Sequence, residues 1–265
     1  MHYTTSGQGP VVILIHGLFG DLDNLKALSK ELETDYTVMR VDVLNHGASP
    51  HVSAMNYQSL ADNMADFIRQ LCSEYGCDNV TLVGHSMGGK IAMATALNYP
   101  QWVNKLVVAD IAPVSYQSRH DAVFAALESM PVNELTDRRQ ALAHMQASGI
   151  DDGTAQFLLK SLTRTATGFA WKMNLSGLNS SYPDIIAWPE FGAVYQGPCL
   201  FIRGGDSDYV TAEHRQAIMS QFPNVKAKTI AGTGHWLHAQ KANIFNRIVK
   251  DFLTSKYGNF RERNM

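Results

Sequence analysis

The sequence has few cysteines and lacks both a signal peptide and a long hydrophobic run. Its three cysteines are an odd number without a C-x-x-C pair, which argues against a disulfide framework and a structural zinc site. No basic segment followed by an apolar stretch occurs in residues 1–10, and the apolar run Val11–Ile15 is far shorter than the roughly 20 residues of a membrane helix. We therefore expect a cytoplasmic protein without a membrane span.

The sequence also lacks a large excess of either positive or negative charge. The 22 basic and 24 acidic residues give a net charge of −2, and the basic residues form no run longer than Arg138-Arg139. We therefore expect no nucleic-acid partner. Hydrophobic residues at 45% and charged residues at 17% are typical of a globular protein, and 265 residues are enough for one large core.

Short β-branched runs alternate with segments that have helical spacing. The run Val11–Ile15 is apolar at every position, which is typical of a strand buried on both faces of a parallel sheet. The alternation predicts an α/β fold with a doubly wound, mostly parallel sheet. Strands are predicted at 11–15, 36–43, 79–83, 105–109, 199–203 and 225–230, and helices at 22–32, 57–71, 87–97, 212–222 and 239–253.

Residues 113–190 interrupt this alternation, and we call them the cap segment. They contain helical patterns at 120–130, 133–148 and 151–163 and no convincing strand, and turn-like sequences flank them. We predict a helical cap inserted into a core formed by residues 1–112 and 191–265, and a frayed tail at 257–265. The pocket beneath the cap is expected to include Phe19, Phe124, Leu158, Trp171 and Trp236.

Gly84-His85-Ser86-Met87-Gly88 is a G-x-S-x-G pentapeptide between a predicted strand and a predicted helix. A nucleophile elbow requires this context, because its serine sits on a sharp, strained turn where glycines let strand and helix approach. The alternative is a glycine-rich turn with an incidental serine. We predict that Ser86 is a nucleophile.

Acyl-transfer chemistry also requires two backbone N–H donors for the developing oxyanion. Met87, the residue after the nucleophile, offers one, and Leu18 in the loop His16-Gly17-Leu18-Phe19-Gly20 is our candidate for the other. Without a nucleophile nearby, this loop would be explained equally well as a helix-entry turn.

A serine nucleophile needs a general base, and His235 is the candidate among ten histidines. It follows the last predicted strand in a glycine-rich loop. The alternative is a metal site with His238, but no carboxylate or cysteine lies nearby in the sequence to complete it. We predict neither a metal nor a cofactor.

Three aspartates could orient the histidine. Asp110 ends the strand after the nucleophile, and Asp206 and Asp208 follow the predicted strand at 199–203. Both positions keep the chain order serine, acid, histidine, so order leaves the choice open. Asp208 follows the strand that directly precedes the predicted histidine strand at 225–230, which is an argument for it.

Taken together, these motifs resemble the α/β-hydrolase fold family over nearly the whole chain. The sequences around Gly17, Asn45, Ser86, Asp110 and His235, together with residues 156–161, are similar to the YbfF-type bacterial esterases and their animal relatives. The resemblance implies Asp110 as the acid, with Asp208 as the alternative. Two positions depart from that pattern: Leu44 replaces a usual arginine, and Asp208 stands where these esterases often lack an acid.

The resulting hypothesis is a serine esterase that hydrolyses carboxylic esters, or acyl thioesters, through an acyl-enzyme. Two other functions stay open. The same fold hosts C–C bond hydrolases and lyases, and a non-catalytic ligand-binding protein could also be built on it.

Overall fold

The computed structural model describes residues 1–255, so the predicted frayed tail at 257–265 lies outside the described residues. A seven-stranded sheet forms the centre of the fold. Its strands are β1 His2–Ser6, β2 Val11–Ile15, β3 Thr37–Asp42, β4 Val80–His85, β5 Val103–Ala109, β8 Cys199–Gly204 and β9 Val225–Ile230. They lie in the order β1-β3-β2-β4-β5-β8-β9. β1 is antiparallel to β3 and every other pair is parallel, which confirms the predicted mostly parallel sheet.

Helices cover both faces of the sheet, and the remaining two strands form a separate hairpin. The longest helix, α2, begins after Asn56, whose side chain accepts a hydrogen bond from the Ser59 N–H, and ends at Gly76, which has a φ of 65°. The helices are α1 Lys26–Leu32, α2 Tyr57–Tyr75, α3 Met87–Asn98, α4 Asp121–Glu128, α5 Arg138–Ala147, α6 Asp152–Leu159, α7 Leu175–Ser180, α8 Tyr182–Ile186, α9 Arg215–Gln221, α10 Leu237–Gln240 and α11 Ala242–Thr254, and the hairpin pairs β6 Leu162–Arg164 with β7 Phe169–Trp171.

The sheet separates two apolar clusters. Alternate side chains of β2 point to opposite faces. Val12 and Leu14 join a cluster with Leu28 of α1 and Val249 of α11. Val11, Ile13 and Ile15 join the larger cluster, which includes α2, α3 and the cap segment. Burial on both faces explains why β2 is apolar at every position.

The structure differs from the sequence predictions at two places. The edge strand β1 was not predicted, because its sequence His-Tyr-Thr-Thr-Ser contains no apolar run and it is only partly buried. The cap segment contains the hairpin β6–β7, where we predicted a helix ending at 163 and no strand. Three-residue strands are too short to show a period of two, and the turn is closed by a hydrogen bond from the Thr165 N–H to the Gly168 carbonyl, 2.9 Å long.

Among residues 1–255, no helix combines the length and the apolar character needed to cross a membrane.

Candidate active site

Ser86 lies at the sharp turn where β4 meets α3. Its backbone has a φ of 55° and a ψ of −123°, a conformation that a non-glycine residue holds only when its surroundings enforce it. Strand and helix nearly touch here, because a Cβ atom on Gly84 would collide with the Gly88 carbonyl oxygen, and one on Gly88 would collide with the carbonyl oxygens of Ile15 and His16 at the end of β2. These close approaches explain both glycines and present the Ser86 hydroxyl at the end of the strand.

Two backbone N–H groups lie beside Ser86, that of Leu18 in the loop after β2 and that of Met87 at the start of α3. Leu18 and Met87 both line the cavity there, and neither N–H donates a hydrogen bond to another residue within the described part of the chain. The Phe19 N–H, in contrast, donates to His46 Nε2 over 3.1 Å, and Phe19 has a φ of 64°. The loop is thereby held in a fixed shape that leaves the Leu18 N–H for a ligand.

His235 contacts both Ser86 and Asp110. Its Nε2 lies 2.9 Å from Ser86 Oγ and its Nδ1 lies 2.8 Å from Asp110 Oδ2. The imidazole ring stacks on Tyr209 at 3.8 Å with an interplanar angle of 18°, and the His235 carbonyl accepts a hydrogen bond from His85 Nε2 over 2.8 Å. These contacts fix both the ring plane and the backbone of the loop that carries it.

Asp110 is fully buried at the end of β5, with a φ of 52°. The Gly204 N–H donates to its Oδ1 over 2.9 Å, and the Ser207 hydroxyl donates to its Oδ2, the oxygen that also faces His235. A buried carboxylate is tolerated only when hydrogen-bond donors surround it. The geometry orients the carboxylate and, through it, the imidazole.

Asp208 does not approach His235. Its side chain is 77% exposed and pairs with Arg119 over 3.0 Å, and the Arg119 guanidinium lies 4.4 Å from the centre of the Tyr209 ring. Asp206 is exposed on the same loop. Of the three aspartates considered from the sequence, the structure brings only Asp110 to the histidine.

A cavity of about 90 Å³ opens in front of Ser86, between the core and the cap segment. Phe19 and Trp236 line it, as predicted from the sequence. The cap contributes residues from α4, α6 and α8. The cap residues that line the cavity are Tyr116, Arg119, His120, Val123, Phe157, Tyr182, Ile185 and Ile186.

The other predicted pocket residues, Phe124, Leu158 and Trp171, lie outside the cavity lining. Phe124 forms a second layer, because its ring packs 5.1 Å from the rings of both Phe19 and Tyr182. Leu158 is buried inside the cap, and its helix neighbour Phe157 faces the cavity instead, since successive helical residues point about 100° apart. Trp171 belongs to the hairpin strand β7.

Sequence reasoning missed several polar groups that line the same cavity. Burial lowers the pKa of Lys90 to about 7, that of His120 to about 4 and that of His238 to about 3. The Lys90 signal was present in the sequence, because a residue four positions after Ser86 on a helix lies on the same face as the nucleophile. His120, just before α4, had no such local signal, and His238 of α10 was considered from the sequence only as a metal ligand.

Within residues 1–255, no group of three His, Cys, Asp or Glu side chains is arranged to hold a metal ion. His235, the residue considered as a metal ligand with His238, uses its two ring nitrogens for Ser86 and Asp110. The polar groups of this site can therefore move a proton between a hydroxyl and an imidazole and bind an oxyanion.

The family model of the alpha/beta hydrolase family matches residues 12–247. The chain is 40% identical to "Esterase YbfF" of Escherichia coli over 91% of this chain and 92% of that protein, and 37% identical to mouse "sn-1-specific diacylglycerol lipase ABHD11" over 92% and 81%. The solved structure "Marine microorganism esterase" is 34% identical and superimposes with a TM-score of 0.90 over 95% of this chain and 98% of that one. The chain therefore belongs to the alpha/beta hydrolase family.

Proposed function

We propose that this protein, a carboxylic-ester hydrolase, works through an acyl-enzyme formed on Ser86. The observation that carries the proposal is the continuous line of hydrogen bonds from Asp110 through His235 to Ser86, at the edge of a cavity. Esterase and lipase relatives at 40% and 37% identity support the ester as the substrate class. Asp110, His235 and Ser86 act as the orienting acid, the base and the nucleophile.

The reaction follows from the positions of these groups. Ser86 Oγ attacks the ester carbonyl carbon while its proton passes to His235 Nε2, 2.9 Å away. The carbonyl oxygen becomes an oxyanion, which the N–H groups of Leu18 and Met87 bind. His235 then returns the proton to the leaving alcohol oxygen as the C–O bond breaks. Water repeats the sequence on the acyl-enzyme and releases the acid.

The cap segment 113–190 acts as a lid over the core formed by residues 1–112 and 191–265. This part of the proposal is supported by the cavity lining, which takes side chains from both parts of the chain. The aromatic and aliphatic side chains of this lining exclude water from the bound acyl group. The exclusion of water strengthens the hydrogen bonds to the oxyanion.

Acyl thioesters belong to the same proposal, because the same attack and proton transfers apply when sulfur is the leaving atom. A cytoplasmic setting also belongs to it and is supported by the three free cysteines, Cys72, Cys77 and Cys199. Small-molecule esters and thioesters are the proposed partners.

The nucleophile is tested by labelling the purified protein with a fluorophosphonate probe and by measuring hydrolysis of a 4-nitrophenyl ester. We expect Ser86→Ala to lose labelling and to lose on the order of 10⁴- to 10⁶-fold in kcat. The matched control is Ser220→Ala, which removes the hydroxyl of an exposed serine on another helix and should match the wild type. Labelling of Ser86→Ala at the wild-type level would overturn the assignment.

The reaction class is tested with a separate panel of substrates. We expect hydrolysis of simple aryl and alkyl esters and no turnover of β-diketones or lyase substrates. Cleavage of a diketone at a higher kcat/KM than any ester would favour the C–C bond hydrolase alternative. Binding of esters without turnover or labelling would favour the non-catalytic one.

A further inference from the structure

Lys90 carries a buried amine that the proposed mechanism does not use. It lies on α3, four residues and therefore one helical turn after Ser86, and its side chain is 1% exposed. Helical side chains lean toward the N-terminus of their helix, so the Lys90 side chain extends back toward the turn that carries Ser86. It lines the same cavity as Ser86.

Two of the three N–H donors of the ammonium group have backbone acceptors. Lys90 Nζ donates to the carbonyl oxygens of Ile186 and Ala187, 3.0 and 2.8 Å away, at the C-terminal end of α8. No acceptor among residues 1–255 takes the third donor. Aromatic rings surround the group, with the centres of Tyr57, Tyr116 and Trp188 at 5.4, 4.9 and 5.9 Å.

The charge of Lys90 has no carboxylate to balance it in the described part of the chain. Burial is what lowers its pKa to about 7, and no neighbouring acid opposes that shift. The side chains that line the cavity include the cations Lys90 and Arg119 but neither aspartate nor glutamate. Of these two cations, Arg119 is already paired with Asp208.

A buried cation without a counter-charge destabilises a protein, because the ammonium loses its hydration without gaining an ion pair. The two carbonyls and the rings compensate for part of this loss. An anionic group of the substrate would complete the compensation, since a carboxylate accepts the third N–H and supplies the missing charge.

We propose that Lys90 binds a carboxylate at the far end of a short acyl group, so that the preferred substrates are monoesters or monothioesters of dicarboxylic acids. This inference rests on the proposed function, because it needs the ester carbonyl at Ser86. The acyl group must be short, since Lys90 lies only four residues, about 6 Å along the helix axis, from Ser86.

The test compares two methyl esters of matched shape. Monomethyl glutarate ends in a carboxylate, and methyl 5-methylhexanoate ends in an uncharged group with the same branching. For the wild type we expect kcat/KM to be about tenfold or more higher for monomethyl glutarate, the gain of one charge-assisted hydrogen bond in a cavity. We also expect free glutarate to inhibit competitively at lower concentration than its uncharged diamide, glutaramide.

Lys90→Met removes the charge and keeps an unbranched side chain. We expect the ratio of the two kcat/KM values to fall below one, whereas Lys90→Arg should retain part of the wild-type preference. Lys105→Met is the matched control. Lys105 also donates to backbone carbonyls, those of Leu253 and Ser255 among them, but it does not line the cavity, so this variant should keep the wild-type ratio.

The outcomes of these measurements test the role of Lys90 and the proposed function separately. A wild-type preference for methyl 5-methylhexanoate, or an unchanged ratio in Lys90→Met, would overturn the role of Lys90. If Lys90→Met does not fold, the wild-type ratio and the inhibition by glutarate decide alone. If the wild type hydrolyses neither ester and also fails to react with the fluorophosphonate probe, the proposed function has failed instead.

Discussion

Replacing Asp110 by asparagine changes one oxygen of the carboxylate into an amide NH₂ group at nearly constant size. The asparagine carbonyl can still accept the Gly204 N–H, so the NH₂ group takes the place of Oδ2 and faces His235 Nδ1. An amide NH₂ only donates, and Nδ1 must therefore accept. The imidazole proton then resides on Nε2, which points at Ser86 Oγ, and the serine loses its proton acceptor.

The expected magnitude follows from this change of tautomer. We expect kcat of Asp110→Asn to fall by up to about 10⁴-fold, which corresponds to roughly 5.5 kcal/mol of transition-state stabilisation. Asp208→Asn is the matched comparison, because it makes the same chemical change at the other candidate acid, after β8. The Asp208 side chain is 77% exposed and its pair with Arg119 lies at the surface, so this variant should stay within about threefold of the wild type.

The assay is steady-state hydrolysis of 4-nitrophenyl butyrate by the two variants and the wild type, side by side. Urea unfolding of each protein serves as the control, since a loss of activity counts only for a variant that remains folded. A larger loss in Asp208→Asn, or a loss below tenfold in a folded Asp110→Asn, would refute the reasoning.

Three further predictions follow from the geometry. Phe157→Ala removes a cap side chain that lines the cavity and should shift the preferred acyl length upward in a 4-nitrophenyl ester series, whereas Trp171→Ala, outside the lining, should not; equal profiles would count against the cap shaping the pocket. Tyr209→Leu removes the ring stacked on His235 at 3.8 Å and should lower kcat by about tenfold or less, with near wild-type KM; an unchanged kcat would contradict this role. Burial lowers the pKa of His46 to about 3, so below about pH 6.5 this histidine is protonated in the unfolded chain but stays neutral in the folded one. The free energy of unfolding, measured in urea, should therefore fall as the pH drops from about 6.5 toward about 4. A free energy of unfolding that does not change over this pH range would contradict the prediction.

The parts of the site that could be predicted from the sequence are those set by neighbouring residues. Ser86 was found because strand, glycines, serine and helix follow one another within a few positions, and the local strain of the turn requires that order. Leu18 was found by the same reasoning, since its loop directly follows β2. In a parallel sheet, the ends of neighbouring strands meet at one edge, so these predictions needed no knowledge of distant contacts.

The cavity lining could not be predicted as well, because it depends on how the cap helices rotate on the core. Phe157 and Leu158 are adjacent apolar residues of α6, yet only Phe157 faces the cavity. Periodicity shows that one face of a short helix is buried but not whether it is buried against the core or against another cap helix. For the same reason, Phe124 was predicted to line the cavity, whereas its neighbour Val123 does so in the structure.

The order of the strands leaves two positions for the acid. β5 lies between β4 and β8, so the residue after β5 is one strand from Ser86, whereas the residues after β8 are one strand from β9, which precedes His235. The side-chain geometry decides between them, because His235 Nδ1 lies 2.8 Å from Asp110 Oδ2. The loop after β8 still contributes, because Ser207 donates a hydrogen bond to Asp110 while the next side chain, Asp208, turns toward Arg119 and solvent. Asp208 therefore has the sequence position of an orienting acid but not the geometry of one, and the hydroxyl group beside it supports the carboxylate on the neighbouring strand.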